Sequence, residues 1–266
     1  MKSIVICADD YGLNESVNNG IRKLIIAKRL SAVSCMTNSP SWPNAASDLI
    51  PYRNSINVGL HFNLTHNFYN NKHINLIKLI IKSQFRVIDK KWIINELNAQ
   101  LDNFEKYFGY IPDFIDGHHH IHVFPQIREI VFSQVNKRYG SNAKIWLRRV
   151  NPKLTNHDAK LKALLLKFLA YNFDKGANKA GFALSGDFAG LYSLTSKADY
   201  PAMMKNWLLD AKNSMLIMCH PGLGINSKDK DESMLVRDKE YHFFNSTQFT
   251  AMCDAHNISI TKLNLS

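Results

Sequence analysis

Apolar residues along this chain fall into short runs, each followed by a polar loop and then a segment of helical spacing. SIVICA (3–8) leads into DDYGLN, after which Val17, Ile21, Leu24 and Ile25 recur every three or four positions and predict a helix. Asn14 is its expected N-cap, and Glu15 sits at the positive end of the helix dipole. SAVSCMT (31–37), SINVGLHFNL (55–64), PDFIDG (112–117), AKIWLRRV (143–150), SMLIMCH (214–220) and NISITKL (257–263) read as further strands. Helical spacing returns over 92–108, 125–139 and 153–173. In the last of these, Leu154, Leu161, Leu164, Leu165 and Phe168 form an apolar stripe expected to pack on the core. Lysines flank that stripe, which makes a membrane-surface role the alternative. Residues 66–91 hold no clean period and are expected to form an excursion or lid. Strands alternating with helices predict an α/β chain with a parallel sheet or barrel, read as one domain over 1–266.

At 266 residues with 45% hydrophobic composition, the chain is long enough and apolar enough for a substantial core. No run of 18 or more apolar residues predicts a membrane span, so stable membrane insertion is not expected. Charge enters after only six apolar or small residues at the N-terminus, too soon for a secretory signal. Cys7, Cys35, Cys219 and Cys253 form no CxxC pair and are expected to be reduced thiols, which fits the cytoplasm. The formal charge of +11 favours anionic partners. No arginine-rich tract, zinc-finger spacing or RNA-binding signature accompanies it, so it reads as solvated surface and nucleic acid is not an expected partner. The sequence leaves a homodimer open.

Chemistry concentrates where the apolar runs stop. SIVICA ends at Asp9 and Asp10, INVGL at His61, PDFIDG at His118, AKIWL at Arg148 and MLIMC at His220. In a barrel of parallel strands these ends share one face, the face on which active sites are built. Taken singly, the aspartates read as a turn, His61 as a core histidine and His220 as the end of a strand. Together with the cluster HHHIH (118–122), they point to a metal-centred site. His118, His120 and His122 would share a face if the strand continued through them, with His119 turned away.

One carboxylate with two imidazoles leaves coordination positions open for water and substrate, and suits zinc, manganese, iron or cobalt better than magnesium. If one aspartate ligates the metal, the other is free to accept a proton from water made acidic there. His220 is a candidate acid for a poor leaving group such as an amine, and Arg148 a candidate partner for the base aspartate. These roles describe metal-assisted hydrolysis of a C–N or C–O bond. A phosphoesterase on the same barrel is the second enzyme reading. A purely anion-binding protein is disfavoured, since binding needs no base beside a metal ligand.

The segments ICADDYGLNESVNNGI, VGLHFNLT, PDFIDGHHHIHVFPQI, WLRRV and MCHPG, spanning residues 4 to 222, resemble the YdjC-like carbohydrate deacetylases, which include chito-oligosaccharide deacetylases and a hopanoid-associated branch. The resemblance implies a (β/α) barrel of the glycoside hydrolase/deacetylase type, with fewer than eight strands left open. It implies removal of an acetyl group from an N-acetylated sugar, with one divalent metal usually described as magnesium; the nitrogen donors keep zinc and manganese open. By matching positions, Asp10, His61 and His118 stand as metal ligands, Asp9 as catalytic base and His220 as acid, with Arg148 close by. Residues 66–91 and 153–200 depart from the family pattern, apart from GDFAG (186–190), which resembles a family loop. The sugar, its length and any lipid attachment are therefore open, and so is hydrolysis of another ester on the same barrel.

Overall fold

The computed structural model describes residues 1–69, 73–140, 143–224 and 232–265. Among these, nine strands form one parallel sheet: β1 Lys2–Tyr11, β2 Ala32–Cys35, β3 Asn57–Phe62, β4 Phe114–Gly117, β5 Trp146–Leu147, β6 Ala183–Leu184, β7 Phe188–Ala189, β8 Met215–Cys219 and β9 Ile258–Ile260. Their spatial order is β6-β5-β4-β3-β2-β1-β8-β7. Strand β9 pairs with the start of β1, at Lys2 to Ile4, and β2 with its end, from Cys7 to Tyr11. β1, β3 and β8 read as nearly continuous apolar runs because both faces of the parallel sheet are buried, and from Ile4 onward β1 is buried throughout.

Residues 185–187 alone join β6 to β7, the two ends of the ordered path. Four residue steps span at most about 14 Å. A flat array of eight strands would hold its outer strands roughly 33 Å apart. The sheet therefore curls into a barrel whose last gap, between β6 and β7, is not hydrogen-bonded, in line with the parallel sheet or barrel that the strand–helix alternation predicts. All strands run the same way, so their C-terminal ends meet at one rim.

The helix Glu15–Ile26 has Asn14 as N-cap, its side chain accepting from the Val17 N–H, and buries Val17, Ile21, Leu24 and Ile25. Helices Lys90–Phe108 and Ile127–Tyr139 fall where the spacing places them. Gly59 in β3 cannot carry a side chain, because a Cβ there would lie 2.5 Å from the Phe114 ring, itself stacked on Trp146. Gly20 allows its helix to touch the loop after β8, where a Cβ would come within 2.8 Å of the Gly222 Cα.

Three expectations change. Residues 66–91 contain a helix, Leu76–Gln84, capped by Asn75; positions 70–72 of that segment lie outside the described residues. The strand expected over 143–150 is reduced to Trp146–Leu147, with the Arg148 N–H still donating to the Ile115 carbonyl at 3.3 Å while its side chain enters the barrel. The helix expected over 153–173 is shorter, Lys160–Leu169, and presents the opposite face. Ala163, Leu166 and Leu169 are its buried residues, whereas Leu161, Leu164, Leu165 and Phe168 face solvent, as does Leu154 ahead of it.

Candidate metal centre

At the C-terminal rim, β1 departs from regular pairing. Its register with β2 shifts between Ala8 and Tyr11, and Asp10 adopts a left-handed φ of 67°. Such an irregularity breaks the alternation of a strand, which would otherwise send neighbouring side chains to opposite faces. Asp9 and Asp10 consequently both line one cavity of about 450 Å³. His61, His118 and His220 line it too.

Asp10 Oδ1 lies 3.0 Å from His118 Nδ1 and 3.3 Å from His61 Nε2. One donor atom from each of these three residues falls within 4.8 Å of the others, a separation that a single cation can bridge. His61 is oriented by the strand beside it: its Nδ1–H donates to Asp116 Oδ1 at 2.6 Å, leaving Nε2 for the site. Asp116 also accepts from the Ser34 hydroxyl. A carboxylate behind the imidazole is the usual support of a metal-ligating histidine. The one-carboxylate, two-imidazole donor set with this support fits a divalent transition metal. The second oxygen of Asp10 accepts from Arg237 Nη2 at 2.5 Å.

Asp9 is turned to a different partner. Arg148, fully buried, donates to Asp9 from Nη1 at 2.7 Å and from Nη2 at 2.5 Å, the bidentate geometry of strong charge-assisted pairs. The same guanidinium contacts Asp116 and the Cys7 sulfur. Cys7, Asp9 and Asp116 form a second three-donor group, but Arg148 already fills it, so no cation is needed there.

Charge follows this layout. Against the upward push of burial, Arg148 holds the Asp9 carboxyl well below the usual carboxylate range. Asp10 is lowered likewise, with burial opposed by Arg237 and His118. Burial would lower His61, yet Asp116 and Asp9 raise it to about 10, so without a cation it is protonated at neutral pH. Burial outweighs Asp10 and Asp9 at His220 and lowers it to about 4, so its imidazole is neutral at pH 7. Behind His220, Glu240 accepts from the Tyr192 hydroxyl and from the His220 backbone N–H, and its Oε1 lies 3.9 Å from His220 Nδ1. Burial raises Glu240 to about 7.

The structure thus brings together all six residues singled out in the sequence, and rearranges the histidine cluster around them. His118–Val123 is a tight helical turn and not a continued strand, with His119 and His120 at φ 55° and 59°. His118 alone of the three expected on one face reaches the donor group. His120 lines the cavity, and His122 is fully buried and donates from Nε2 to the Arg148 carbonyl at 3.0 Å. His119 meets Thr65. Sequence reasoning did not assign Asp116, Arg237, Glu240 or Ser34. Asp116 stood in view two residues before His118, at the matching end of β4.

Parallel strands thus deliver a carboxylate and two imidazoles, a donor set that could hold a cation, to one rim beside an arginine-clamped carboxylate. The chain belongs to the YdjC-like protein family, whose model matches residues 3–255. It is 31% identical over 150 residues to a carbohydrate deacetylase of Danio rerio, covering 52% of this chain and 47% of that one. A chitooligosaccharide deacetylase of Yersinia pestis (strain Pestoides F) is 27% identical over 229 residues, 83% of this chain and 81% of the relative. A Yersinia enterocolitica chitooligosaccharide deacetylase matches at 27% over 149 residues, 52% and 57% of the two chains. The chain thus spans about half the length of two of these relatives. The fold matches an Enterococcus faecalis V583 crystal structure, described as a candidate cellobiose-phosphate cleavage protein, with TM-score 0.70, 18% identity and 98% and 97% coverage.

Proposed function

We propose that this chain is a metal-dependent hydrolase that removes the acetyl group from an N-acetylated sugar or oligosaccharide. The observation that carries the reading is the pairing of two adjacent aspartates with different partners: Asp10 with His61 and His118, Asp9 with Arg148. The names of its deacetylase relatives supply the substrate class.

Asp10, His61 and His118 would hold the cation. When bound, it supplies Lewis acidity toward an acyl oxygen and makes water acidic near neutral pH. Asp9, fixed in position and kept ionised by Arg148, is the acceptor beside the attacking water. Proton delivery to the leaving nitrogen falls to His220. Its resting imidazole lies about three pH units below neutrality, so protonating it in advance would cost about 4 kcal/mol. His220 would therefore acquire its proton during turnover, the one that the attacking water releases to Asp9, and pass it to the leaving nitrogen, with Glu240 3.9 Å behind it. Two imidazoles favour zinc or manganese over the magnesium usual in the family. Of the segment 66–91, Leu76 and Ile80 would form part of the pocket wall. The four buried thiols fit a reducing, cytoplasmic setting.

The test is acetate release from N,N′-diacetylchitobiose with and without chelator. Asp9→Asn should keep its metal and lose roughly 10²–10⁴-fold in turnover, the range for loss of a general base. Undiminished turnover in that variant would remove Asp9 from the mechanism. Hydrolysis of phosphate esters but not of acetylated sugars would favour the phosphoesterase reading.

A further inference from the structure

The mouth of the cavity is apolar in a way that a sugar alone does not explain. Leu76 and Ile80, from the helix Leu76–Gln84, form part of its wall, and Leu165 and Leu169, from the helix Lys160–Leu169, form another. Each helix buries one face and exposes a second apolar face outward. On the first, Ile77 is 69% exposed and Phe85, at its C-terminal cap, 74%; on the second, Leu161 is 83% exposed and Phe168 63%. Ile81, Leu164 and Tyr171 add to the same faces. Single exposed apolar residues need no explanation, but several on each of two helices that line one cavity mark a binding face.

Charge identifies the occupant. The two helices carry Lys78, Lys82, Lys160, Lys162 and Lys167 and no carboxylate. Apolar side chains flanked by lysines are the signature of a helix lying in the interface of an anionic bilayer. We propose that this rim is a membrane-docking face that presents the cavity to an acetylated sugar joined to a long aliphatic chain. The substrate half of this proposal rests on the deacetylase reading; the docking half does not. Leu76, Ile80, Leu165 and Leu169 would line the path of the chain near its sugar, while Leu161, Leu164, Phe168, Ile77 and Ile81 enter the headgroup region. No helix among the described residues is long and apolar enough to cross a membrane, so attachment is interfacial.

The test is flotation of the full chain with phosphatidylcholine vesicles, with and without phosphatidylglycerol. Binding is expected to the anionic vesicles and to weaken as salt rises. Leu161→Ser/Leu164→Ser/Phe168→Ser should weaken it about thirtyfold or more, since each lost side chain forfeits part of its transfer free energy. Ile77→Ser/Ile81→Ser/Phe85→Ser on the facing helix is the second variant, should the first fold poorly. Neither should slow hydrolysis of a soluble acetylated oligosaccharide. A long-chain alkyl N-acetylglucosaminide should exceed the methyl glycoside in kcat/KM about tenfold in wild type, and by less in the variants. Absence of flotation by a protein active on soluble sugar would overturn the proposal. So would a dimer that the triple variant splits without any vesicle binding, which would make the face a self-interface. Flotation with no turnover of either glycoside would instead defeat the deacetylase reading and leave the docking face standing.

Discussion

Arg148→Met tests the charge layout of the site without any substrate. The guanidinium is fully buried between Asp9 and Asp116 and contacts both. Replacing it with a side chain of similar reach leaves those two buried carboxylates with only the His61 imidazolium between them. Breaking a buried pair on one side typically costs about 3–5 kcal/mol. For a chain of this length, each kcal/mol lowers Tm by about 2 °C, so the expected drop is roughly 6–10 °C at pH 7.5. The deficit should depend on pH in a defined direction. In wild type Asp9 titrates below its unfolded value, so its contribution is present above that value and fades only in strong acid. Without Arg148, burial pushes Asp9 above the unfolded value, so the variant loses stability as pH rises and recovers as it falls. Chemical denaturation of metal-free protein at pH 5 and 7.5 reads this directly. Arg148→Met/Asp116→Asn removes one carboxylate with the cation and should regain most of the loss, as matched removal of buried charge often does. A pH-independent deficit, or no rescue in the double variant, would refute the electrostatic account.

Two further outcomes follow from the same geometry. Zinc or manganese loading at pH 7.5 should release about one proton, because His61 stays protonated up to about 10 until a cation takes its Nε2; calorimetry in buffers of different ionisation enthalpy measures it, and His118→Ala should abolish stoichiometric binding by metal analysis. Metal kept at one equivalent in that variant would show the donor set to be wrong. Glu240 is raised to about 7, so the fold gains from its proton and loses up to about 3 kcal/mol as pH rises from the ordinary carboxylate range through 7. Glu240→Gln should flatten that decline between pH 5 and 8 in denaturant titrations; an unchanged slope would remove Glu240 as its source.

Much of the rim was legible because burial on both faces makes parallel strands continuous apolar runs, and the ends of such runs are easy to see. SIVICA, INVGL and MLIMC gave up their terminal residues for that reason. The spacing over 153–173 puts the wrong face of the helix Lys160–Leu169 inward, because period reveals which residues share a face and not which face meets the core. Both of its faces are apolar, and the buried one is made of Ala163, Leu166 and Leu169. The histidine turn failed for another reason: left-handed backbone at His119 and His120 carries no glycine to announce it. Arg237 and Glu240 lie three apart on the helix Glu232–Phe244, beyond the last recognised motif, and only tertiary packing brings them to Asp10 and His220.

The adjacent aspartates pose the problem that the whole rim solves. Asp9, Asp10 and Asp116 are almost fully buried, and three such charges would be unfavourable together. Arg148, Arg237 and protonated His61 balance them one for one in the metal-free protein. A divalent cation held by Asp10, His61 and His118 would displace the His61 proton, so the cluster would exchange one positive charge for two. So loaded, the site would carry one uncompensated positive charge in a low-dielectric cavity. That is the sign that the proposed hydrolysis would need for the negative charge on an acyl oxygen, and fixed charge aimed at such an atom is among the largest sources of rate enhancement. Arg148 would make that excess possible, because it engages both oxygens of Asp9 and would keep the second carboxylate from cancelling the cation as a further ligand.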